Sequence, residues 1–376
     1  MSDVLFVTWD GGGNVSPAVE IAKELQRRGH RVRFLGQSQQ RESLEHAGFG
    51  FSAYSKPGPW TATGKRGQLK NAVGFLSLIT GRSLGRDLAA EVRGVPTDLV
   101  VIDCLLFGAM DVATREGIPY AVLVHSLYEA IDEKMAGGAP GGVARLRGLN
   151  PRKLWAGADL VVVATLEELD RTPSRAESKL HYTGPALPEL ARRATKPASP
   201  RILVSLSTTY VPGQAEVIQK VLDALAELPV SVVVTTGPAV DEGMLHAPAN
   251  AELHDYVLHT DVMPTTSLVI GHGGHSTTML ALAHDLPLLV IPMNLVFDQV
   301  LIGQAVTRSG AGLTIPSQSS ADEISAEVQR MLADDTFRTQ AARLGEAIRA
   351  EHGTQTAAKL LLALIAERTT AGAISP

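Results

Sequence analysis

Residues 267–299, SLVIGHGGHSTTMLALAHDLPLLVIPMNLVFDQ, decide how the rest of the chain reads. Ser267 to Gly271 is an apolar, β-branched run of strand length, and Thr278 to His284 has the spacing of a helix packed on a sheet. Between them stands His272-Gly273-Gly274-His275-Ser276-Thr277, and Leu286 to Pro292 supplies the next parallel strand. Two glycines between a strand and a helix let the backbone come close to an anion. The helix start adds free N–H groups and the positive end of a dipole. Gly-Gly alone is common at such turns for steric reasons. The side-chain donors of His272, Ser276 and Thr277 at the same spot are what point to phosphate.

Two other chemistries fit these residues less well. Gly274-His275-Ser276 could open a nucleophile elbow, with Asp298 and His352 following in hydrolase order. Thr278 stands where the last glycine belongs, and Ser276 lies several residues past the strand. A metal pair of His272 and His275 has no third ligand at a convincing spacing.

Working outward, the run from Asp255 through Gln299 resembles the donor-binding signature of family 1 nucleotide-sugar glycosyltransferases. These are two-Rossmann (GT-B) proteins, and the likeness is to the bacterial enzymes that decorate natural products such as antibiotics. The matching residues are Tyr256-Val257-Leu258-His259, His272 to Thr277, the proline-bounded strand Pro287 to Pro292, and Asp298-Gln299. A weaker similarity extends over nearly the whole chain. The resemblance implies that His272, Gly273, Gly274, His275, Ser276 and Thr277 hold a diphosphate. It gives the base to Tyr256 and Val257 and the sugar hydroxyls to Asp298 and Gln299. Thr208 and Gly237 fall in segments that the family places near the donor. Two positions depart from the pattern: Leu280 stands where a ribose-binding glutamate is common, and Gly303 where asparagine is frequent. A leucine accepts no hydrogen bond, so a deoxythymidine diphosphate sugar is expected at least as readily as a uridine one.

Length and composition agree with a globular chain of two domains. The chain has 376 residues, 45% of them hydrophobic, which suits two ordinary domains better than one. A net charge of −5 provides no basic field for nucleic acid. The single cysteine, Cys104, excludes an internal disulfide framework and fits a reducing, cytoplasmic setting. No apolar stretch reaches the roughly 18 residues of a membrane span. The expected partners are a nucleotide sugar and a small acceptor, with the protein a monomer or homodimer. The family implies no metal and no cofactor beyond the sugar donor.

The N-terminal half opens with a strand at Val4 to Thr8, the loop Trp9-Asp10-Gly11-Gly12-Gly13-Asn14, a helix to Arg28 and a strand at Arg31 to Leu35. This is a Rossmann-type opening, but Gly-Gly-Gly is not G-x-G-x-x-G, and no acidic residue ends the second strand. In the resembling family this loop carries the catalytic base in a G-[HD]-x-x-P pattern. Gly13-Asn14-Val15-Ser16-Pro17 matches it except at the base itself, where Asn14 has no useful proton affinity. Asp103, at the carboxyl end of the strand Asp98 to Ile102, is the favoured substitute, because the family often has an aspartate there. Asp10 is the alternative, and a sufficiently acidic acceptor would need only positioning. Lys56 to Arg82 corresponds to the segment that lines the family's acceptor pocket. Trp60, Phe75 and, at another strand exit, His125 are the expected acceptor contacts.

The Pro-rich segment Gly184 to Pro200 reads as the linker between two lobes and their cleft. The expected architecture is α/β, GT-B. An acceptor-binding Rossmann-like domain spans 1–190, a nucleotide-sugar domain spans 191–350, and a final helix within 351–376 crosses back to the first. The expected reaction is inverting O-glycosylation of a small, largely apolar natural product. C-glycosylation, a catalytically weak nucleotide-sugar binder on the same fold, and lastly a serine hydrolase are the alternatives.

Overall fold

A computed structural model describes residues 1–56, 60, 68–171, 179–190, 199–207, 209–238, 240–294 and 297–374. Thr208, expected beside the donor, and most of the expected linker lie outside the described residues. The chain divides into two units. One runs to Ala186 and resumes at Glu351, and the other covers Leu187–Ala350.

The first unit is built on strands β1 (Asp3–Val7), β2 (Arg31–Gly36), β3 (Gly50–Ala53), β4 (Leu99–Asp103), β5 (Tyr120–Val124), β6 (Leu160–Val163) and β7 (Leu180–Tyr182). Their order is β3-β2-β1-β4-β5-β6-β7, and every pairing is parallel. Strands such as LVVID and YAVLV are buried at every position, as expected where helices cover both faces of a parallel sheet. The order reverses between β1 and β4. A crevice opens at the carboxyl ends of such a pair, and α/β sheets place ligands there.

The second unit repeats the plan with β8 (Arg201–Ser205), β9 (Ser231–Thr235), β10 (Ala251–His254), β11 (Leu268–Gly271), β12 (Leu288–Val290) and β13 (Gly312–Thr314). The order β10-β9-β8-β11-β12-β13 is again all parallel, with its reversal between β8 and β11.

The final helix, Gly353–Ile374, belongs to the first unit. Ala357, Ala358, Leu361 and Ile365 form one helical stripe and join the core made by Val4, Phe6, Ile21 and Leu25. Burying Leu361 and Ile365 contributes about 2 kcal/mol each. The chain reaches this position through His352, whose φ of 49° ends the preceding helix Asp335–Glu351. Gly353 then fits against the backbone of Gly184 and Pro185, where a Cβ would lie 2.4 Å from the Pro185 carbonyl oxygen. Among the described residues no helix is long and apolar enough to cross a membrane.

Candidate functional site

Each unit places chemically distinctive residues at its strand-order reversal. In the second unit β11 ends at Gly271 and the helix His275–Ala283 begins after three residues, with Gly274 at its N-cap. Gly273 turns through φ = 82°, and a Cβ there would lie 2.7 Å from the Gln299 carbonyl oxygen. Only glycine supplies both the left-handed turn and the close approach. Ser276 and Thr277 are half-buried in the first turn, whereas His275 is buried.

His272 is the histidine that the loop presents. Burial, helped by the neighbouring His259, lowers its pKa to about 4, so the ring is neutral at physiological pH. Its Nδ1 is buried and has no hydrogen-bond partner among the described residues. An orphaned polar atom of this kind is unfavourable unless a ligand completes it. Tyr256 is 73% exposed on the loop after β10, available for stacking. Gly237 also turns with positive φ and donates its N–H to the Asp255 carbonyl, tying the loop after β9 to the one after β10. Asp298 stands at the N-cap position of the helix Gln299–Arg308. The Gln299 side-chain oxygen accepts from the N–H groups of Met293 and Asn294, both at 2.8 Å, so it holds the preceding loop as well as facing it.

The first unit's reversal brings together Asn14, Asp103 and His125. Asn14 sits at the N-cap of the helix Val15–Arg27 but does not cap it. Its amide instead donates to the Trp9 carbonyl at 3.0 Å and to Asp103 Oδ2 at 3.1 Å, and its Oδ1 accepts from Gly11 N–H at 3.0 Å. Gly11 is required for this closure, since a Cβ there would meet both the Trp9 ring and Asn14 Oδ1. Asp103, the last residue of β4, also accepts from Leu105 N–H on Oδ1 and pairs through Oδ2 with His125 Nδ1 at 3.1 Å. Burial by itself would raise the carboxyl pKa, but the His125 charge and hydrogen bond, with Leu105 and Asn14, hold it below its ordinary value. Burial would likewise depress His125, and Asp103 carries it well above the usual imidazole range.

Cys104 Sγ lies 3.6 Å from the same Nδ1. Its thiol is buried and its pKa raised by that burial. One ligand atom from each of Asp103, Cys104 and His125 lies within 4.8 Å of the other two, close enough to share an ion. Sequence spacing did not expose this trio, because its third member comes from the next strand.

Asp10 is placed differently. Its main-chain N–H donates to Gln37 Oε1 at 2.8 Å, while its half-buried carboxylate has no partner among the described residues and is raised by burial. Gln37, which the sequence reading missed, also donates to the Trp60 carbonyl at 3.0 Å and so fixes two loops at once. Its signal was a buried glutamine directly after β2, in the run Gln37-Ser38-Gln39-Gln40. Trp60 and Phe75 pack edge-on to one another and to Trp9, with ring centroids 5.2–5.9 Å apart. All three rings are at least nine-tenths buried, so they shape the wall behind the first loop.

Comparisons with known proteins agree with this architecture. Residues 219–364 match the family described as erythromycin biosynthesis protein CIII-like, C-terminal domain. The 4'-demethylrebeccamycin synthase of Lentzea aerocolonigenes is 27% identical over 96% of this chain and 99% of its own. Among solved structures, the calicheamicin glycosyltransferase CalG4 superposes with a TM-score of 0.80 over all of both chains at 21% identity. The glycosyltransferase VinC in complex with DTDP does so with a TM-score of 0.73 over 97% of this chain and 100% of its own at 17% identity. At those identities the structural likeness establishes the fold alone. A doubly wound sheet in each unit, the glycine loop at the second reversal and these matches lead to one conclusion: the chain has the GT-B fold and is similar to glycosyltransferases of natural-product biosynthesis.

Proposed function

We propose that the chain is a glycosyltransferase that moves a sugar from a nucleoside diphosphate sugar, a deoxythymidine one at least as readily as a uridine one, to a hydroxyl of a small, largely apolar acceptor with inversion. The observation that carries the reading is the loop at Gly271–His275. A left-handed glycine, a helix N-terminus and a neutral His272 whose Nδ1 has no partner among the described residues converge there. Such a loop binds a diphosphate by main-chain N–H groups and the helix dipole, and those donors stabilise the charge that develops as the diphosphate leaves. Gly273, Gly274, Ser276 and Thr277 would line the phosphates, with His275 buried behind them. Thr208 and Gly237 would flank them, Tyr256 and Val257 would carry the base, and Asp298 and Gln299 would meet the sugar. The proposed chemistry draws on these donors and requires no metal.

The deoxyribose preference rests on Leu280, which is 8% exposed within the helix His275–Ala283. A leucine at that position offers nothing to a 2′-hydroxyl, so a ribose gains less there than in a site with a carboxylate. The bound DTDP of VinC is in keeping with this choice. Incubation with a panel of activated sugars and acceptors, read by mass spectrometry, tests the reaction. A new glycoside is expected, whereas ester hydrolysis without transfer would overturn it. Calorimetry tests the nucleotide: thymidine diphosphate should bind at least as tightly as uridine diphosphate, and clearly tighter uridine binding reverses the assignment.

A further inference from the structure

An acceptor hydroxyl must lose a proton as it attacks, and Asn14 stands at the loop position where a base would be expected. The neighbouring carboxylate is poorly suited to replace it. Asp103 is 6% exposed, its Oδ1 accepts from Leu105 N–H, and its Oδ2 accepts from both Asn14 and His125. Three of about four lone-pair positions are therefore engaged. A carboxylate stabilised in this way gains little by taking a proton.

His125 has the complementary arrangement. Both of its polar contacts, to Asp103 Oδ2 and to Cys104 Sγ, run through Nδ1. Its Nε2 makes no hydrogen bond among the described residues, and 12% of the side chain remains exposed at the carboxyl end of the sheet, just past β5. A carboxylate on Nδ1 fixes a proton there, so that the proton lost as pH rises is the one on Nε2, which then becomes the acceptor, and it stabilises the imidazolium that re-forms in the step. Asn14 in turn holds the carboxylate in place, which explains an amide with every hydrogen-bonding group used inside the protein.

We infer that His125 Nε2 is the general base of the transfer, with Asp103 and Asn14 as positioning residues; this rests on the glycosyl-transfer reading above. In the step, the acceptor oxygen uses an electron pair to form the bond to the anomeric carbon while its proton passes to Nε2. The bond from that carbon to the diphosphate oxygen breaks, and its electron pair leaves with the nucleoside diphosphate. His125 is left as an imidazolium beside the Asp103 carboxylate and returns its proton to solvent. The titratable groups facing His125 are Asp103 at the end of β4 and Cys104 directly after it. Of the two, Asp103 supplies the charge, since burial keeps the Cys104 thiol protonated.

The test uses the full chain with a donor and acceptor taken from the screen. His125→Gln keeps an amide N–H to offer Asp103 but no basic nitrogen. It is expected to lower kcat by about 10²-fold or more, with nucleoside diphosphate affinity by calorimetry retained. The deficit should shrink with an acceptor whose hydroxyl is more acidic, because such an acceptor needs less help losing its proton. Asp103→Asn should also lose activity, by misdirecting the imidazole. Full activity in His125→Gln, a deficit that ignores acceptor acidity, or a larger loss in Asp10→Asn than in His125→Gln each overturns the assignment. Rates abolished by EDTA would give the trio to a metal instead and overturn it equally. Should His125→Gln fail to fold, the unmodified enzyme still decides. Its kcat/KM must rise with pH along a limb displaced above the ordinary imidazole range, and a flat profile rejects the base. Failure of the wild-type chain to form any glycoside would sink the transfer itself, whereas indifference to His125 sinks only the base.

Discussion

The two strand-order reversals are built alike and finished differently. Both follow a parallel strand with a glycine-containing loop and a helix, and both put a glycine in the left-handed region, Gly12 at φ = 84° and Gly273 at φ = 82°. At the first, the amide and the carboxylate close on their neighbours: Asn14 bonds to Gly11, Trp9 and Asp103, and Asp103 to Leu105 and His125, while the buried Trp9 Nε1 has no partner among the described residues. At the second, His272 Nδ1 is left without a partner among the described residues. An amide and a carboxylate that fix one another are suited to holding a proton-handling group still. A loop that leaves a buried donor or acceptor unmet is suited to gaining a ligand.

The contrast breaks most sharply at Gly273. Gly273→Ala forces a Cβ into a left-handed backbone and against the Gln299 carbonyl. A loss of about 2–3 kcal/mol in urea unfolding is expected, together with nucleoside diphosphate binding weakened by about 10²-fold in calorimetry. Near-wild-type values would mean that the loop has room to relax and is not held for an anion.

Asn14→Ala probes the closed side. It strips donors from the Trp9 carbonyl and Asp103 Oδ2 in a buried setting, for an expected loss of about 2 kcal/mol. Nucleotide affinity should not change. If it falls as far as stability does, the two reversals are not independent in the way the contrast requires.

The two histidines should also tilt stability against pH in opposite directions. His272 has a folded pKa of about 4, below its unfolded value near 6.5, so the unfolded chain binds the extra proton first. Its contribution is complete above the ordinary imidazole range and is lost as pH falls toward 4. His125 is raised, so its contribution is complete below that range and is lost as pH rises through its folded pKa. Melting temperatures across pH should show His272→Asn flattening the acidic side and His125→Asn the alkaline side. The same flattening in both variants would contradict the assigned environments.

The smallest effect is expected at Tyr256, whose ring is 73% exposed. Tyr256→Ala should weaken nucleotide binding about threefold to tenfold through lost stacking, with no shift in melting temperature. A larger loss of stability than of affinity would give the ring a structural role.

The strands and the donor loop were legible because their signals are local. Runs such as Leu203-Val204 and Val232-Val233-Val234 announce buried parallel strands, and His272 to Thr277 announces a strand-to-helix turn. Strand boundaries moved by a residue or two, and one shift matters to the site: the strand read as Asp98 to Ile102 is Leu99–Asp103, which carries Asp103 into the register opposite Leu123. Trp60 and Phe75, read from their loop as acceptor contacts, stand packed around Trp9. Composition cannot say which face of an aromatic residue solvent reaches.

The sequence by itself determined the α/β class, the division into two units' worth of strand–loop–helix repeats, and the anion-suited loop. Each depends on residues within a few positions of one another, where periodicity and backbone preference act. Only the tertiary structure decided that Asn14 would meet Asp103 across 89 residues and that His125 would complete the group. Those outcomes depend on strand order, with β1 beside β4 and β4 beside β5. Strand order is set by how helices and sheet bury apolar surface across the whole unit, a constraint that no short stretch of sequence contains.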